Sequence, residues 1–320
     1  MNLANSMKTK FPLSGIIVSL NTPFDRNGRI DFESLDRLIE YHLQAGAAGF
    51  LSPAQAGEVG TLSLEERREL VTFIRSRVEG RAFYVAGATA DNERHSFLAA
   101  ESAVAAGCSA VLVEVPAALC TDRAGIMRFF RDFASIGMPL LMIQDLDWGG
   151  PGLDIHTILQ LFEEIDSFQS LKVEVSPAGP KYTQIIEATS GNLHVCGGWA
   201  AGQMIEALDR GVDVFMPTAM TRSYRAIFDA HRRGDRHAAS AVFQKILPVL
   251  AFSHQHLDIS IQFYKRLFVE LGIFSTVHVR KACFPYDSFH EAYGRELIRY
   301  LQETDPCDPS QIISRLRSRE

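Results

Sequence analysis

Short apolar runs alternate with amphipathic stretches eight times between residues 15 and 233, and this repeat limits the possible folds more than anything else in the chain. The runs fall at 15–21, 48–52, 83–87, 110–115, 139–144, 168–173, 193–197 and 212–217. Near-continuous apolar runs of this length suit strands buried on both faces, as in a parallel sheet covered by helices. The stretches between them carry helix signals. Ser63-Leu-Glu-Glu66 reads as a capping box, and Asp31-Phe-Glu-Ser34 opens an earlier helix ahead of Leu35, Leu38 and Ile39. Eight βα units with short connections close as an α/β (β/α)8 TIM barrel, whereas a doubly wound open sheet would show fewer strands. Strand signals stop near residue 220. Helical patterns then follow at 224–233, 237–252, 259–271 and 288–303, the first closing the barrel and the rest forming a C-terminal helical appendix. The expected division is a barrel at 12–233, a helical extension of the same domain at 234–305, and flexible termini at 1–11 and 306–320.

Composition narrows the function classes. Of the 320 residues, 47% are hydrophobic and 22% charged, enough for a sizeable core. The net charge of −6 is spread along the chain without a basic block, which argues against nucleic acid as a partner. Cys108, Cys120, Cys196, Cys283 and Cys307 are scattered and odd in number, so neither a disulfide framework nor a cysteine metal site is expected. The first eleven residues lack an apolar signal region and no run is long enough to span a bilayer. No membrane partner and a cytoplasmic location are the corresponding expectations.

In such barrels the chemistry lies at the C-terminal ends of the strands. Lys172 stands there, within Phe168-Gln-Ser-Leu-Lys-Val-Glu-Val175, while the other lysines fall at the terminus or in segments that read as loops and helices. A lysine facing a barrel interior is costly to keep charged, which frees its amine as a nucleophile. Period-two alternation also puts Glu174 on its face, so a purely structural Lys172–Glu174 ion pair is an equal reading from the residues alone.

The order of motifs resembles the dihydrodipicolinate synthase / N-acetylneuraminate lyase family over roughly residues 12–300. The matching stretches are Gly15 to Thr22-Pro23-Phe24, the loop Ala54-Gln55-Ala56-Gly57-Glu58, Ala86-Gly87-Ala88-Thr89, and Ala106-Gly107-Cys108-Ser109-Ala110 to Pro116. The resemblance implies a TIM barrel in which Lys172 forms an imine with a small, pyruvate-like 2-oxo acid, with no metal and no organic cofactor. It also implies a homotetramer or homodimer. Departures from the family pattern fall at the site. The loop threonines become Gln55 and Ala56, the fifth-strand tyrosine becomes Gln144 in Ile143-Gln144-Asp145 (or Ile143 if the gap is placed differently), and the paired tyrosines after strand four become Ala117 and Ala118. The arginine that grips a second carboxylate in the synthase has no counterpart near Trp148-Gly149-Gly150. Met142-Ile143-Gln144-Asp145 and Lys172-Val173-Glu174 are similar to runs in 2-keto-3-deoxy sugar acid dehydratases.

That branch implies a Schiff-base lyase, with dehydration as the main expectation. An aldolase making or breaking a C–C bond to pyruvate is the first alternative, and a silent ligand-binding relative the second. With the tyrosine missing, the proton shuttle must come from Asp145, Glu174 or Glu58. Asp145 is the first choice at a strand end, with a cap or an ion-pair partner as its structural reading; Glu58 reads more naturally as a brace for its loop. Gln55, Ala56 (through its backbone amide), Gly57, Gln144, Gly198 and Trp199 are the expected substrate contacts.

Overall fold

The structure is a computed structural model and describes residues 11–198 and 202–304. Trp199 and nearly all of the two expected flexible termini lie outside these residues. Eight parallel strands close a barrel in sequence order: β1 (Gly15–Ser19), β2 (Gly49–Ser52), β3 (Phe83–Gly87), β4 (Ala110–Glu114), β5 (Leu141–Asp147), β6 (Phe168–Val175), β7 (His194–Gly197) and β8 (Val214–Phe215). Around them run α1 (Phe32–Gln44), α2 (Leu64–Val78), α3 (Glu93–Ala105), α4 (Arg123–Ala134), α5 (Ile155–Glu164), α6 (Ala178–Ala188), α7 (Met204–Asp209) and α8 (Thr221–Arg232). The C-terminal part adds α9 (Arg236–Ser253), α10 (Leu257–Glu270) and α11 (Ser288–Thr304). This is the expected (β/α)8 TIM barrel with a helical appendix. Among the described residues, no helix is long and apolar enough to cross a membrane.

Strand alternation divides the apolar side chains into two cores. Ile17, Leu51, Val85, Leu112, Met142 and Val214 fill the barrel, while Val18, Phe50, Val113, Ile143, Leu171 and Val173 face the helix layer. One irregularity matters for the site. Between β5 and β6 the register jumps from Leu141↔Phe168 to Met142↔Ser170, leaving Gln169 as an extra residue. Phe168 below the bulge packs outward against Phe162 of α5, yet Ser170 above it reaches inward to Cys196. The bulge thus sets which β6 side chains enter the barrel.

The largest departures from the expected strand limits are at β5 and β8. β5 runs on to Asp147, and β8 is only Val214–Phe215 because Pro217 cannot donate to a ladder. The capping box forms as expected: Ser63 Oγ accepts from Glu66 N at 3.2 Å and Glu66 accepts from Ser63 N at 2.9 Å. At the N-terminal end of the barrel Phe11 stacks on His194 with ring centres 4.3 Å apart.

A buried ionic clamp joins the C-terminal helices to the loop after β2. Lys265 of α10 is fully buried, and its ammonium bonds Glu58 and, at 2.8 Å, the His278 carbonyl. The other Glu58 oxygen accepts from Arg280 N at 2.9 Å. Glu58 holds a left-handed backbone (φ 59°), and its carboxylate is what fastens that strained turn. The Arg280 guanidinium bonds Glu66 at the start of α2 and lies 4.2 Å over the Phe24 ring.

Candidate active site

The open end of the barrel holds a cavity of about 60 Å³ around Lys172. Register places the key positions in one row: Glu114 pairs with Gln144, Gln144 with Lys172, and Lys172 with Cys196. All four belong to the inward-facing set. Lys172 Nζ lies 3.2 Å from Glu174 Oε2, both side chains being more than nine-tenths buried. Gln144 Nε2 donates to the same carboxylate at 2.5 Å. A cation and a carboxylate this deep need each other, and the Gln144 amide holds the anion without competing for its charge.

From β2, a short 3-10 turn at Gln55–Gly57 carries Gln55 and Ala56 to the cavity wall. The carbonyls of Ala56 and Gly57 are tied to Asn21 Nδ2 (2.5 Å) and Thr22 Oγ1 (2.7 Å), which anchors the turn on β1. Gly57 does not line the cavity. Its role is close packing, since a Cβ there would come 2.8 Å from the Leu20 carbonyl. Gly198 lines the cavity directly: a Cβ on it would come 2.6 Å from Lys172 Cε and collide with the Glu174 carboxylate. Trp199 lies outside the described residues.

Asp145, the expected proton shuttle, is not part of this cluster. One residue beyond the inward-facing Gln144, it takes the opposite face of β5, where its carboxylate pairs with the Lys181 ammonium of α6 and accepts from Leu153 N at 3.0 Å. Lys181 also bonds the Pro151 carbonyl at 2.6 Å. Burial raises the Asp145 pKa and Lys181 opposes the rise, as in a structural ion pair that shapes the loop after β5. Glu58 is likewise committed, to the clamp.

Three contributors were not expected from the sequence. Glu114, at the end of β4, accepts from Gln55 Nε2 at 2.8 Å and receives a backbone brace from Thr89 Oγ1 at 2.9 Å. Its position two residues after inward-facing Leu112 was the available signal. Lys181 was legible only as a partner for Asp145. The third is a wall built by the C-terminal helices, where His254, Leu257, Ser260 and Tyr264 border the cavity. Burial lowers the His254 pKa to about 4, so it faces the cavity as a neutral imidazole. Tyr264 is held by its hydroxyl 3.1 Å from Ser253 Oγ. Among the described residues that line the cavity, Lys172 is the one lysine, and no arginine is present.

A barrel with a buried lysine on its sixth strand can be compared with known proteins, and the comparison decides the family. The description "Dihydrodipicolinate synthetase family" matches residues 12–303. The chain belongs to that family. Among curated members, the 4-hydroxy-tetrahydrodipicolinate synthase of Chlorobaculum parvum is 27% identical, over 73% of this chain and 79% of that protein. The Pseudomonas aeruginosa synthase is 26% identical over 74% and 82%. Two solved structures share the fold. Dihydrodipicolinate synthase from Rhodopseudomonas palustris superposes with a TM-score of 0.82 at 22% identity, covering 93% of this chain and all (100%) of the other. YagE from Escherichia coli K12, a prophage protein of the dihydrodipicolinic acid synthase family solved with pyruvate, gives 0.83 at 20% identity, covering 93% and 100%. Family membership makes sense of the cluster's position at the open end of this barrel.

Proposed function

We propose that this family member is a Schiff-base-forming lyase acting on a small 2-oxo acid, and that its reaction is dehydration of a 2-keto-3-deoxy sugar acid. The observation that carries the reading is the buried Lys172–Glu174 pair inside the strand-end cavity, Nζ to Oε2 3.2 Å. Lys172 attacks the 2-keto carbon, and loss of water leaves an iminium that draws electrons from C3. Glu174 is placed to take the ammonium proton first and a C3 proton next, one carboxylate serving successive transfers. Gln144 keeps that carboxylate aimed. The Ala56 backbone amide and Gln55 are the donors offered to the substrate carboxylate.

The absence of an arginine among the described cavity residues favours a substrate with a single carboxylate over one carrying a second. An aldolase that joins pyruvate to an aldehyde is the second reading, favoured by the synthase names of the curated relatives. Product identity separates the two, because a dehydratase keeps every substrate carbon in one molecule.

The test is borohydride reduction in the presence of pyruvate, with the adduct located by mass spectrometry. An adduct on Lys172 is expected. No adduct with pyruvate or with longer 2-oxo acids would leave Lys172 as a structural partner of Glu174. A second expectation concerns the floor of the cavity. Gly198→Ala should lower kcat by about 10²-fold, because its methyl group pushes the Glu174 carboxylate off its proton-transfer position. Steady-state kinetics that match the unsubstituted protein would show that this carboxylate's position does not matter.

A further inference from the structure

We propose that Glu114 is a second catalytic carboxyl of this site, the acid that protonates the departing C4 hydroxyl of the lysine-bound substrate. The proposal rests on the imine-forming reading above and deepens it by naming the group that acts as acid.

The argument begins with placement. Glu114 lies in the same inward-facing row as Lys172, two strands away across Gln144. Strands are spaced about 4.8 Å apart, so the backbones of Glu114 and Lys172 stand about 10 Å from each other. That gap suits a short chain held at C2 by the lysine and reaching toward β4 with C4. Gln55 ties the two regions together. It lines the Lys172 cavity, and it also lines a neighbouring cavity of about 620 Å³ shared with Glu114, Thr89 and Arg67. Gln55 borders both spaces while Glu114 lines the larger one, which has room for whatever follows C4.

Structural duties do not explain this carboxyl. Among the described residues Glu114 makes no ion pair and caps no helix, and its one side-chain hydrogen bond is to Gln55 through Oε1. Oε2 has no hydrogen-bond partner among them. The position continues the inward series Ala110, Leu112 and Glu114, where an apolar side chain would satisfy the barrel core. A carboxyl kept in such a place without a salt bridge burdens the fold and points to chemistry. Burial raises its pKa; Gln55 and Lys172 oppose the rise and Glu174 adds to it. The carboxyls therefore sit in unlike surroundings. Glu174 touches the ammonium, while Glu114 is dominated by desolvation, which favours its protonated form, as suits an acid.

The step balances. Glu174 removes a C3 proton from the iminium, and the C3–H electron pair forms the C2=C3 enamine as the iminium electrons return to nitrogen. The nitrogen lone pair then re-forms C=N, the C2=C3 pair becomes C3=C4, and the C4–O bond breaks with its electrons on oxygen. That oxygen takes the Glu114 proton and leaves as water. Glu174 ends protonated and Glu114 ionised, and exchange with solvent resets both before hydrolysis frees Lys172.

The test uses the full chain, Glu114→Gln, and two probes, pyruvate and 4-hydroxy-2-oxopentanoate. Both proteins should give the borohydride adduct of pyruvate. The variant should convert the 4-hydroxy acid about 10²- to 10⁴-fold more slowly. The unsubstituted protein's kcat should fall as pH rises and the acid ionises, and the variant should lack that limb. Since the amide replaces a half-buried carboxyl that makes no salt bridge, thermal unfolding of the variant should be no lower, whereas a structural role would lower it. Turnover within a few-fold of the unsubstituted protein, or an unchanged pH profile, would overturn the proposal. So would pyruvate trapping by a protein that leaves 4-hydroxy-2-oxopentanoate untouched. If pyruvate is not trapped at all, the imine reading falls and this one with it.

Discussion

Lys172→Ala is expected to reduce turnover by roughly 10⁴-fold or more, the scale on which enzymes lose activity when a covalent nucleophile is deleted. The borohydride adduct should vanish with it. Among the described residues no other buried lysine is free to take over, because Lys181 is bound to Asp145 outside the barrel and Lys265 to Glu58 in the clamp. Glu174→Gln provides the contrast that identifies the mechanism. It keeps the amine and the shape of the site but loses proton transfer, so kcat should fall by about 10² to 10⁴ while slow trapping at Lys172 persists. Equal loss of trapping in both variants would mean that Glu174 is needed to form the imine rather than to use it. Since Lys172→Ala leaves a buried carboxylate without its cation, circular dichroism must show a folded protein before its kinetics are read.

Lys265→Met should destabilise the protein by about 3–5 kcal/mol at neutral pH, measured as a fall in the urea midpoint. The loss comes less from the bond removed than from the buried Glu58 carboxylate left without its counter-ion. Adding Glu58→Gln to Lys265→Met should therefore recover part of it, and a double variant worse than the sum would contradict that account. The same lysine has a pH signature. Burial lowers its pKa from the ordinary 10.5 to about 8, with Glu58 opposing the shift. The unfolded chain then binds this proton more tightly between those values. Lys265 thus makes the protein gain stability as pH rises from about 8 to about 10.5, and the gap between the protein and Lys265→Met should widen there.

The barrel was legible because strands covered on both faces must be apolar along their length, and eight such runs leave few other arrangements. Lys172 and Glu174 were legible together, since two residues apart on a strand means one face. Asp145 misled for a related reason. Its neighbour Gln144 is the inward-facing residue, and only the observed pairing of Gln144 with Lys172 reveals which of the two enters the cavity. Glu114 was hidden inside a run that read as apolar. The wall formed by His254, Ser260 and Tyr264 had no local signature, because which helix face covers the barrel mouth depends on the Lys265–Glu58 contact, 207 residues apart in sequence.

The extra residue at Gln169 divides β6 into two segments of opposite phase. Below it the strand is timed to the helix layer, as Phe168 against Phe162 shows, and above it to the barrel lumen, where Lys172 and Glu174 stand. A sequence change in the lower segment can therefore drift in length by one residue and be absorbed at the bulge without rotating the reactive pair out of the lumen. Any change of odd length above the bulge has no such buffer and would present Leu171 and Val173 to the substrate instead. The reactive pair is thereby insulated from length variation on one side only: a residue gained in the α5–β6 connection can be taken up at the bulge, whereas one gained between Ser170 and Glu174 cannot.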